Sequence, residues 1–297
     1  MEKPKILVIG SINMDLVTQT KIVPKTGETV LGTSFLTVPG GKGANQAIAA
    51  AKLGADVTML GCIGDDAFGI ELKQNLNKQG VTTKFIKTIP NESSGIASIT
   101  LSEGDNSIIV VPGANNGLSP EMIMEQEHVI AEADIILLQL EVPLESVSIS
   151  VELAQKHNVP VILNPAPIQE LPKELLLAVT YITPNEHEQK SLLSNKELTM
   201  EEIDHLKQKC IVTQGEKGIY LYQDGLIPGY KVETIDSTGA GDTFNGALAL
   251  SLSKGNALKE ACHFANAAAA LSVTKLGAQS GMPTFEEVEL FLGENCS

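Results

Sequence analysis

The sequence has little positive charge, few cysteines and no long apolar run. Its 21 Lys and Arg against 36 Asp and Glu give a formal net charge of −15, so the surface as a whole is a poor partner for nucleic acid. No apolar stretch reaches the ~18 residues of a membrane span. The start MEKPKILVIG resembles a first strand more than a signal peptide. We therefore expect a cytoplasmic protein that binds neither membrane nor nucleic acid. The cysteines follow no metal-ligand spacing, which predicts reduced thiols at Cys62, Cys210, Cys262 and Cys296.

The chain does have 43% hydrophobic residues, and many of them cluster in short runs. Six runs are continuous, which is typical of strands buried on both faces of a parallel sheet: 5–10, 56–64, 133–140, 159–167, 181–186 and 209–215. Helical patterns lie between and after them, at 43–53, 70–79, 120–133, 144–157, 186–193, 201–209, 241–253, 258–275 and from 284 onward. This alternation predicts an α/β fold with a doubly wound, mostly parallel central sheet flanked by helices.

Two segments break this alternation. Residues 13–38 alternate apolar and polar side chains with a turn at Pro24–Gly27, and residues 95–111 resemble a hairpin that turns at Glu103–Asn106. They predict a small antiparallel β-sheet beside a core formed by residues 1–12, 39–94 and 112–297. A small sheet with an apolar face must be covered. We therefore expect it to cover a cleft as a lid, to pair with a second subunit, or both.

The stretch IDSTGAGDTFNG (235–246) places small residues and an aspartate in front of an apolar helix. A ligand can closely approach the backbone N–H groups of Gly239, Ala240 and Gly241, and a helix N-terminus favours an anion. The stretch is therefore a candidate phosphate-handling loop. The alternative is that Asp242 is simply an N-cap residue, and the stretch alone does not separate the two interpretations.

Polar residues also follow the predicted strands, where open α/β sheets bind their ligands. Asn13 and Asp15 come after the first strand, Lys42 and Asn45 open a glycine-rich helix, and Glu141 follows the run ending in QLE. Carboxylates accept hydrogen bonds from vicinal hydroxyls, whereas Asn and Lys donate them, so the set together suits a sugar. For each residue alone, turn chemistry or a surface charge is the simpler interpretation.

The common nucleotide-binding signatures are absent. A P-loop requires Ser or Thr after its lysine, but Gly43 follows Lys42. No GxGxxG follows the first strand, which argues against a dinucleotide-dependent oxidoreductase.

Six motifs do occur together and in order: GSINMD (10–15), GGKGANQA (40–47), NPAP (164–167), TPNE (183–186), VTQGEKG (212–218) and DSTGAGDTFNGAL (236–248). With them the chain resembles the ribokinase-like (PfkB) carbohydrate kinases from its first strand to its last helices. GSINMD, LNPAP and KLGAQ narrow the resemblance to members that act on ribose. The resemblance implies transfer of phosphate from ATP to the 5-hydroxyl of D-ribose.

The resemblance also implies roles for individual residues. Asp242 would be the general base, and the amides of Gly239, Ala240 and Gly241 would form an anion hole. The sugar contacts would come from Asn13, Met14, Asp15, Gly41, Lys42, Gly43, Ala44, Asn45, Glu141 and Asp242. The nucleotide contacts would come from Asn185, Thr213, Gln214, Gly215, Glu216, Lys217, Gly218, Gly241 and Asn266.

Two cations are implied as well. Mg²⁺ would arrive with ATP and be organised indirectly by Asn185 and Glu188. Potassium would bind near the anion hole, at Asp236, Thr238, Ser272, Lys275, Gly277 and Gly281. Gly281 stands where the ribose-specific members often have serine, and Thr238-Gly239 follows the general form of the family. Both departures bear on the strength of potassium activation.

The resemblance implies that the small sheet is the lid of such an enzyme and that two subunits pair through it as a homodimer. The sequence alone indicates only a sheet with an apolar face. Two alternatives remain open. One is a kinase of another sugar or of a nucleoside, although 4% aromatic residues and no tryptophan do not favour a pocket for a base. The other is a sugar sensor without catalysis, against which the intact Asp242 and anion-hole residues argue.

Overall fold

The computed structural model describes residues 2–102 and 105–295. Its strands are β1 (Lys5–Ile9), β2 (Asn13–Thr20), β3 (Gly32–Gly40), β4 (Asp56–Gly64), β5 (Thr82–Ile89), β6 (Gly95–Ser102), β7 (Asp105–Val111), β8 (Ile135–Leu138), β9 (Val161–Leu163), β10 (Tyr181–Ile182), β11 (Ile211–Thr213), β12 (Gly218–Leu221) and β13 (Gly225–Pro228). The helices are α1 (Lys42–Lys52), α2 (Ala67–Lys78), α3 (Pro120–Glu125), α4 (Glu127–Ala131), α5 (Leu144–Lys156), α6 (Lys173–Ala178), α7 (Glu186–Leu192), α8 (Met200–Lys209), α9 (Ala240–Ser253), α10 (Leu258–Ser272), α11 (Ala278–Gly281) and α12 (Phe285–Asn295). Short 3-10 helices cover Gly113–Gly117 and Gly215–Lys217.

The central sheet contains six strands in the order β10-β9-β8-β1-β4-β5. Every pairing in it is parallel, as the continuous apolar runs predicted. The chain leaves β1 first towards β4 and β5, and later returns to add β8 on the other side. The strand order therefore reverses between β1 and β8, which is where a doubly wound sheet opens a crevice at its carboxyl edge.

Alternate residues of the central strands pack into two separate apolar layers. Ile6 and Val8 of β1 lie in a cluster with side chains of α1, α9 and α10. Leu7 and Ile9 lie in the second cluster, with side chains of α3, α5, α6 and α8. Because both faces are covered, each strand is apolar at successive positions and not at every second one. The predicted sheet flanked by helices is confirmed.

The segment 209–215, predicted as a further parallel strand, lies at the edge of a second sheet of order β11-β12-β13. Its strand β11 pairs antiparallel with β12 and contacts the central sheet only through parallel bridges from Cys210 to Ile182 and from Thr213 to Asn185. Strands β5, β12 and β13 were not predicted from the sequence. Strand β5 is the edge of the central sheet and buries only Thr83 and Ile86, so it shows no continuous apolar run.

The helix predicted at 120–133 is interrupted. Gln126, with φ −105° and ψ 19°, ends α3 and precedes α4. Two short helices, α6 and α11, were not predicted, because six and four residues are too few to establish a helical period.

The small sheet has the strand order β3-β2-β6-β7. It consists of two antiparallel hairpins, β2 with β3 and β6 with β7. Their inner strands, β2 and β6, pair in parallel, because both leave the core in the same direction. In the turn of the second hairpin, Glu103 and Gly104 lie outside the described residues. Strand β7 is exposed along its full length, so this sheet offers an uncovered edge.

Cys62, Cys210 and Cys262 are buried free thiols, and Cys296 lies outside the described residues. Burial raises the pKa of each of the three thiols to about 12, which keeps them protonated and unreactive. Of the helices in the described part of the chain, none has the length and apolar character needed to cross a bilayer.

Helices α1 and α9 cross at Gly246, where a Cβ would lie 2.7 Å from Ala49 Cβ and 2.8 Å from the backbone nitrogen of Ala50. Gly246→Ala should therefore lower the free energy of unfolding by about 1–3 kcal/mol, as overpacking does. Gly293→Ala is the matched control, since that helical glycine has no atom within 4 Å of the added Cβ. The control should be neutral or more stable by up to ~1 kcal/mol. Equal thermal unfolding midpoints for the two variants would contradict this packing.

Candidate active site

The N-terminus of α9 lies at the carboxyl edge of the central sheet. Gly239 is its N-cap, in the left-handed region at φ 79°, and a Cβ there would lie 2.8 Å from that of Ala278. Ala240 and Gly241 are the first two helical residues, and Asp242 is the third. Amides of a first helical turn have no partner within the helix, and the helix dipole makes this end positive. The loop predicted to handle phosphate is thus the start of a helix.

Asp242 is not the cap of that helix. Its side chain is 8% exposed and accepts hydrogen bonds from two residues of α1 instead. Asn45 Nδ2 donates to Oδ2 at 3.0 Å, and Gln46 Nε2 donates to Oδ1 at 3.1 Å. Burial raises the pKa of Asp242, while Lys42 and the two amide donors act in the opposite direction. The N-cap interpretation of Asp242 is therefore wrong.

On one side of Asp242 lies a cavity of about 650 Å³. Asn13 and Asp15, two residues apart on β2, point to the same face of the strand. Lys42 and Asn45 lie one turn apart on α1, and Glu141 follows β8. The structure therefore brings together all five polar side chains that the sequence suggested for a sugar, and all five line this cavity.

Glu141 ties these elements to one another. Its Oε2 accepts hydrogen bonds from Ser11 Oγ at 2.6 Å, from the backbone nitrogen of Lys42 at 3.2 Å and from Asn13 Nδ2 at 3.5 Å. Its Oε1 lies 4.0 Å from Lys42 Nζ. Because Ser11 and Asn13 flank the start of β2, this one carboxylate fixes the start of α1 relative to the start of the small sheet.

Three carboxylates and one ammonium group share the cavity. Burial, Glu141 and Asp242 together raise the pKa of Asp15 to about 6, against the opposing effect of Lys42. Burial lowers the pKa of Lys42, but the surrounding carboxylates outweigh it, so the net shift is upward. The lysine therefore stays charged and partly balances the negative charge of the cavity.

The other residues predicted to bind sugar divide into two groups. Gly41 lines the cavity, whereas Met14, Gly43 and Ala44 do not. Met14 is fully buried in the first apolar cluster because alternation along β2 turns it away from Asn13 and Asp15. Gly43 and Ala44 pack beneath the cavity, where the nitrogen of Ala44 donates to Ser11 O at 2.9 Å.

The sequence analysis did not identify the residues that complete this cavity. Asn115 receives a hydrogen bond from the nitrogen of Ile12 at 3.0 Å and donates to Asn13 Oδ1 at 2.7 Å, so it orients the Asn13 amide. Strands β6 and β7 add Ile99, Ile108 and Val110 to the wall. The PGANNG turn after β7 was the only signal for Asn115, and it belongs to no motif of the resemblance.

On the other side of α9 lies a second cavity, of about 640 Å³. Of the residues predicted to bind nucleotide, it is lined by Thr213, Gly215, Glu216, Lys217, Gly218, Gly241 and Asn266. Apolar surface comes from residues that the sequence analysis missed, among them Tyr230, Val232, Phe244, Ala269 and Val273. A cavity lined by these apolar side chains and by a positive helix end suits a nucleotide.

Asn185 and Gln214 do not line this second cavity. Asn185 caps α7, with the nitrogen of Glu188 donating to its Oδ1 at 2.8 Å and its own nitrogen donating to Glu188 Oε2 at 2.9 Å. The predicted N-x-x-E pair is thus a reciprocal capping box. Gln214 Nε2 donates to Glu186 at 3.3 Å.

The residues predicted for potassium lie in two segments that Asp236 joins, the loop before α9 and the stretch from the end of α10 to the end of α11. Its carboxylate accepts hydrogen bonds from the nitrogens of Thr238 at 2.9 Å and Gly277 at 2.8 Å. A Cβ on Gly281 would lie 2.5 Å from the carbonyl oxygen of Ser272 and 3.5 Å from that of Lys275. These oxygens therefore face a common region. Within the described residues, no three His, Cys, Asp or Glu side chains are grouped to hold a metal ion.

The two cavities meet at the first turn of α9. Thr238, Gly239 and Asp242 line the first cavity. Ser237, Ala240, Gly241 and Phe244 line the second. A ligand in each would therefore contact opposite sides of the same helix end, with Asp242 on the polar, hydroxyl-binding side.

Known proteins resemble this chain over nearly its whole length. The family described as pfkB family carbohydrate kinase matches residues 3–285. The chain is 49% identical over 292 residues to ribokinase of Bacillus subtilis strain 168, covering 97% of this chain and 99% of that protein. A crystal structure of ribokinase from Thermotoga maritima superposes with a TM-score of 0.88 at 39% identity, covering 97% and 99% of the two chains. The structure of Arabidopsis thaliana ribokinase complexed with ribose and ATP gives the same TM-score at 33% identity, covering 98% and 99%. The chain belongs to the pfkB family of carbohydrate kinases.

Proposed function

We propose that this chain transfers the γ-phosphoryl group of ATP to the 5-hydroxyl of D-ribose, giving ribose 5-phosphate and ADP. The observation that carries the proposal is the meeting of two cavities at the first turn of α9, with the Asp242 carboxylate between them. Relatives named ribokinase, and the relative whose structure holds ribose and ATP, support the choice of both substrates.

In this reaction Asp242 acts as the general base. As the sugar oxygen bonds to the γ-phosphorus, its proton passes to the Asp242 carboxylate, and the bond from phosphorus to the β–γ bridging oxygen breaks to release ADP. The amides of Gly239, Ala240 and Gly241, at the positive end of the helix, would bind the phosphoryl group. There they stabilise the charge that develops on its oxygens.

The remaining polar residues of the first cavity hold the sugar. The carboxylate oxygens of Asp15 and Glu141 accept hydrogen bonds from ring hydroxyls, while Asn13, Lys42 and Asn45 donate to them. The rest of the wall combines aliphatic side chains with the polar residues Asn115, Asn116, Gln169 and Thr238, and none of the described residues that line this cavity is aromatic. This composition favours a sugar over a nucleoside, because no aromatic ring is present for a base to stack on.

Magnesium enters the proposal with ATP and, when bound, neutralises part of the phosphate charge. The chain offers Glu188 for an indirect contact through water, since Lys42 and Glu188 lie close enough for their charges to act on each other. Asn185 takes part by fixing the Glu188 backbone through the capping box.

Potassium is proposed to bind between the two segments that Asp236 joins, the loop before α9 and the stretch from the end of α10 to the end of α11. The carboxylate of Asp236 and the carbonyl oxygens of Ser272 and Lys275 form an oxygen-only donor set, which suits this ion. The side chain of Lys275 is engaged with Glu287 at 2.8 Å, so this residue would contribute its carbonyl oxygen. Gly281 supplies no hydroxyl, and we therefore expect a modest dependence on K⁺.

The small sheet is proposed to act as a lid over the sugar and as a dimer contact. Ile99, Ile108 and Val110 on its inner face already form part of the sugar cavity. Its outer face exposes Phe35 and Ile109, whose side chains are 64% and 69% exposed. Exposed apolar surface of this kind beside an open edge strand supports pairing with a second copy. The cytoplasmic location stays a prediction.

The central test of the function is ADP release by the wild type and by Asp242→Asn with ribose, deoxyribose, fructose or adenosine as acceptor. With Mg²⁺ and ribose, the wild type should turn over, and the variant should lose about 10²–10⁴-fold in kcat because its amide cannot take the proton. Asp204→Asn, at an exposed site on α8, is the matched control. Parallel assays with K⁺ or tetramethylammonium measure the potassium effect. Ribose binding without turnover would indicate a sugar sensor instead.

The raised pKa of Asp15 makes sugar affinity dependent on pH. Above about pH 6 the carboxylate is ionised and accepts two hydroxyl donors, whereas below it the carboxyl is protonated and accepts fewer. The Kd for ribose, measured by calorimetry without nucleotide, should therefore rise about tenfold between pH 7.5 and pH 5. Asp15→Asn should bind weakly at both values. If the variant keeps the pH step, the step belongs to another carboxyl, such as Asp242.

The dimer contact is tested by placing a charge on the outer face of the small sheet. Ile109→Glu should convert a dimer into a monomer in sedimentation velocity, because burying an unpaired carboxylate costs several kcal/mol. Ile70→Glu, at a side chain on α2 that is 62% exposed, is the control and should leave the assembly unchanged. A wild-type protein that sediments as a monomer at all concentrations would contradict this part of the proposal.

A further inference from the structure

A chain of buried amide side chains lies behind Asp242, on the side away from the sugar cavity. Gln46 of α1 and Gln139, which follows β8, are both 0% exposed. Gln46 Nε2 donates to Asp242 Oδ1 at 3.1 Å and to Asn164 Oδ1 at 3.3 Å, and Gln46 Oε1 accepts from Gln139 Nε2 at 2.7 Å. None of these three amides lines the sugar cavity.

The orientation of the amide groups in this row of side chains is fixed by hydrogen-bond acceptors at both of its ends. At one end, Asn164 Nδ2 donates to the backbone carbonyl of Thr183 at 3.3 Å, which turns the Asn164 oxygen towards Gln46. At the other end stands the Asp242 carboxylate, whose Oδ1 accepts from Gln46 and whose Oδ2 accepts from Asn45. Both neighbours of Gln46 Nε2 are therefore acceptors, so the Gln46 amide cannot be reversed without placing its oxygen against two other oxygens.

Gln139 favours the same orientation of the Gln46 amide, although its own side-chain oxygen is then left without a hydrogen bond. Its Nε2 is used on Gln46, while its Oε1 is buried and accepts no hydrogen bond from any described residue. Reversing the Gln139 amide would place two oxygens in contact. A Cβ on Gly10 would lie 1.9 Å from Gln139 Oε1, so the glycine leaves the space that this side chain occupies. A buried oxygen without a hydrogen bond lowers stability. Here the unpaired Gln139 oxygen belongs to the arrangement that turns the Gln46 N–H donor towards Asp242.

We propose that Gln46 is a positioning residue for phosphoryl transfer. It binds Oδ1 and so fixes the plane of the Asp242 carboxylate, which presents Oδ2, beside Asn45, to the sugar hydroxyl. This inference rests on the proposed function and adds to it a residue that touches neither substrate. The same network continues to the anion hole, since Thr183 Oγ1 donates to Asn245 Oδ1 at 2.7 Å and Asn245 Nδ2 donates to the carbonyl of Gly241 at 2.8 Å.

The geometry also gives Gln46 an effect on the ionisation of the base. A proton on Oδ1 would face the N–H group of Gln46, so this contact favours the carboxylate form. The charged groups that act on Asp242 from the surrounding elements are Lys42 on α1, Asp15 on β2 and Glu141 after β8. Without the Gln46 donor, burial and the carboxylates of Asp15 and Glu141 would raise the pKa of Asp242, and only Lys42 and Asn45 would oppose them. The pKa of Asp242 would therefore be higher than in the wild type.

The experiment compares Gln46→Met and Gln46→Glu with the wild type and with Gln189→Met. Methionine keeps the length of the side chain and removes all three hydrogen bonds of the Gln46 amide, whereas glutamate keeps the shape and removes the donor. Gln189 is the matched control, since it is a partly buried glutamine whose Nε2 donates to the Tyr222 hydroxyl at 2.9 Å. For each variant we would measure kcat and both KM values from pH 5 to 9, and the thermal unfolding midpoint.

We expect Gln46→Met to lose about 10–100-fold in the plateau kcat, with little change in either KM, because the base is misplaced while both cavities stay intact. In Gln46→Met, the acidic limb of the plot of kcat against pH should move to a higher pH by about one unit. In Gln46→Glu it should move further, because the charge of the introduced carboxylate lies beside Asp242. Gln189→Met should match the wild type in both respects.

Three results would overturn the inference. They are an unshifted acidic limb in both Gln46 variants, a loss confined to KM, and a kcat equal to that of the control. If Gln46→Met fails to fold, Gln46→Glu decides the question, because it preserves volume and the hydrogen bond from Gln139. A wild type without ribose-dependent turnover would overturn the proposed function itself, whereas an active wild type with unaltered Gln46 variants would overturn the inference alone.

Discussion

The structure depends on how one almost fully buried carboxylate is compensated. Asp242 lies at the positive end of α9, with Lys42 nearby and amide donors from Asn45 and Gln46 on its two oxygens. Burial raises the pKa of this group, and each of these contacts opposes the rise. The proposed base is thus shielded from water and surrounded by hydrogen-bond donors, which explains why so many polar side chains are buried around it.

The fold supplies this environment through its topology. The strand order reverses between β1 and β8, so β2, α1 and the segment after β8 all begin at the same crevice. Glu141 then joins them, because it accepts hydrogen bonds from both the start of β2 and the start of α1. Helix α9 packs against α1 at Gly246, one turn beyond Asp242, so the position of the base is set by a close helix contact. The site is thus a consequence of how these elements cross.

Much of this could be predicted from sequence, because the relevant signals are local. Continuous apolar runs identified the central strands, and GAGD before an apolar helix identified the helix end. Asn13, Asp15, Lys42, Asn45 and Glu141 could be grouped because parallel strands end at one edge. What could not be predicted depends on contacts distant in sequence. Whether Asp242 was a cap or a base required knowing that α1 donates to it, and Gln139 lies within an apolar run where nothing marks its amide. The apolar nucleotide wall, with Val232 and Phe244, likewise forms only when the loop before α9 folds over the helix.

In the proposed mechanism both substrates bind at once, on opposite sides of one helix end. The phosphoryl group then passes directly from one to the other. The stereochemistry at phosphorus tests this most directly, using ATP made chiral at its γ-phosphorus with oxygen isotopes and ribose as acceptor. Direct in-line transfer predicts inversion of configuration in the sugar phosphate. Retention would show two successive transfers through a phosphorylated side chain, and would contradict the arrangement of the two cavities around Asp242.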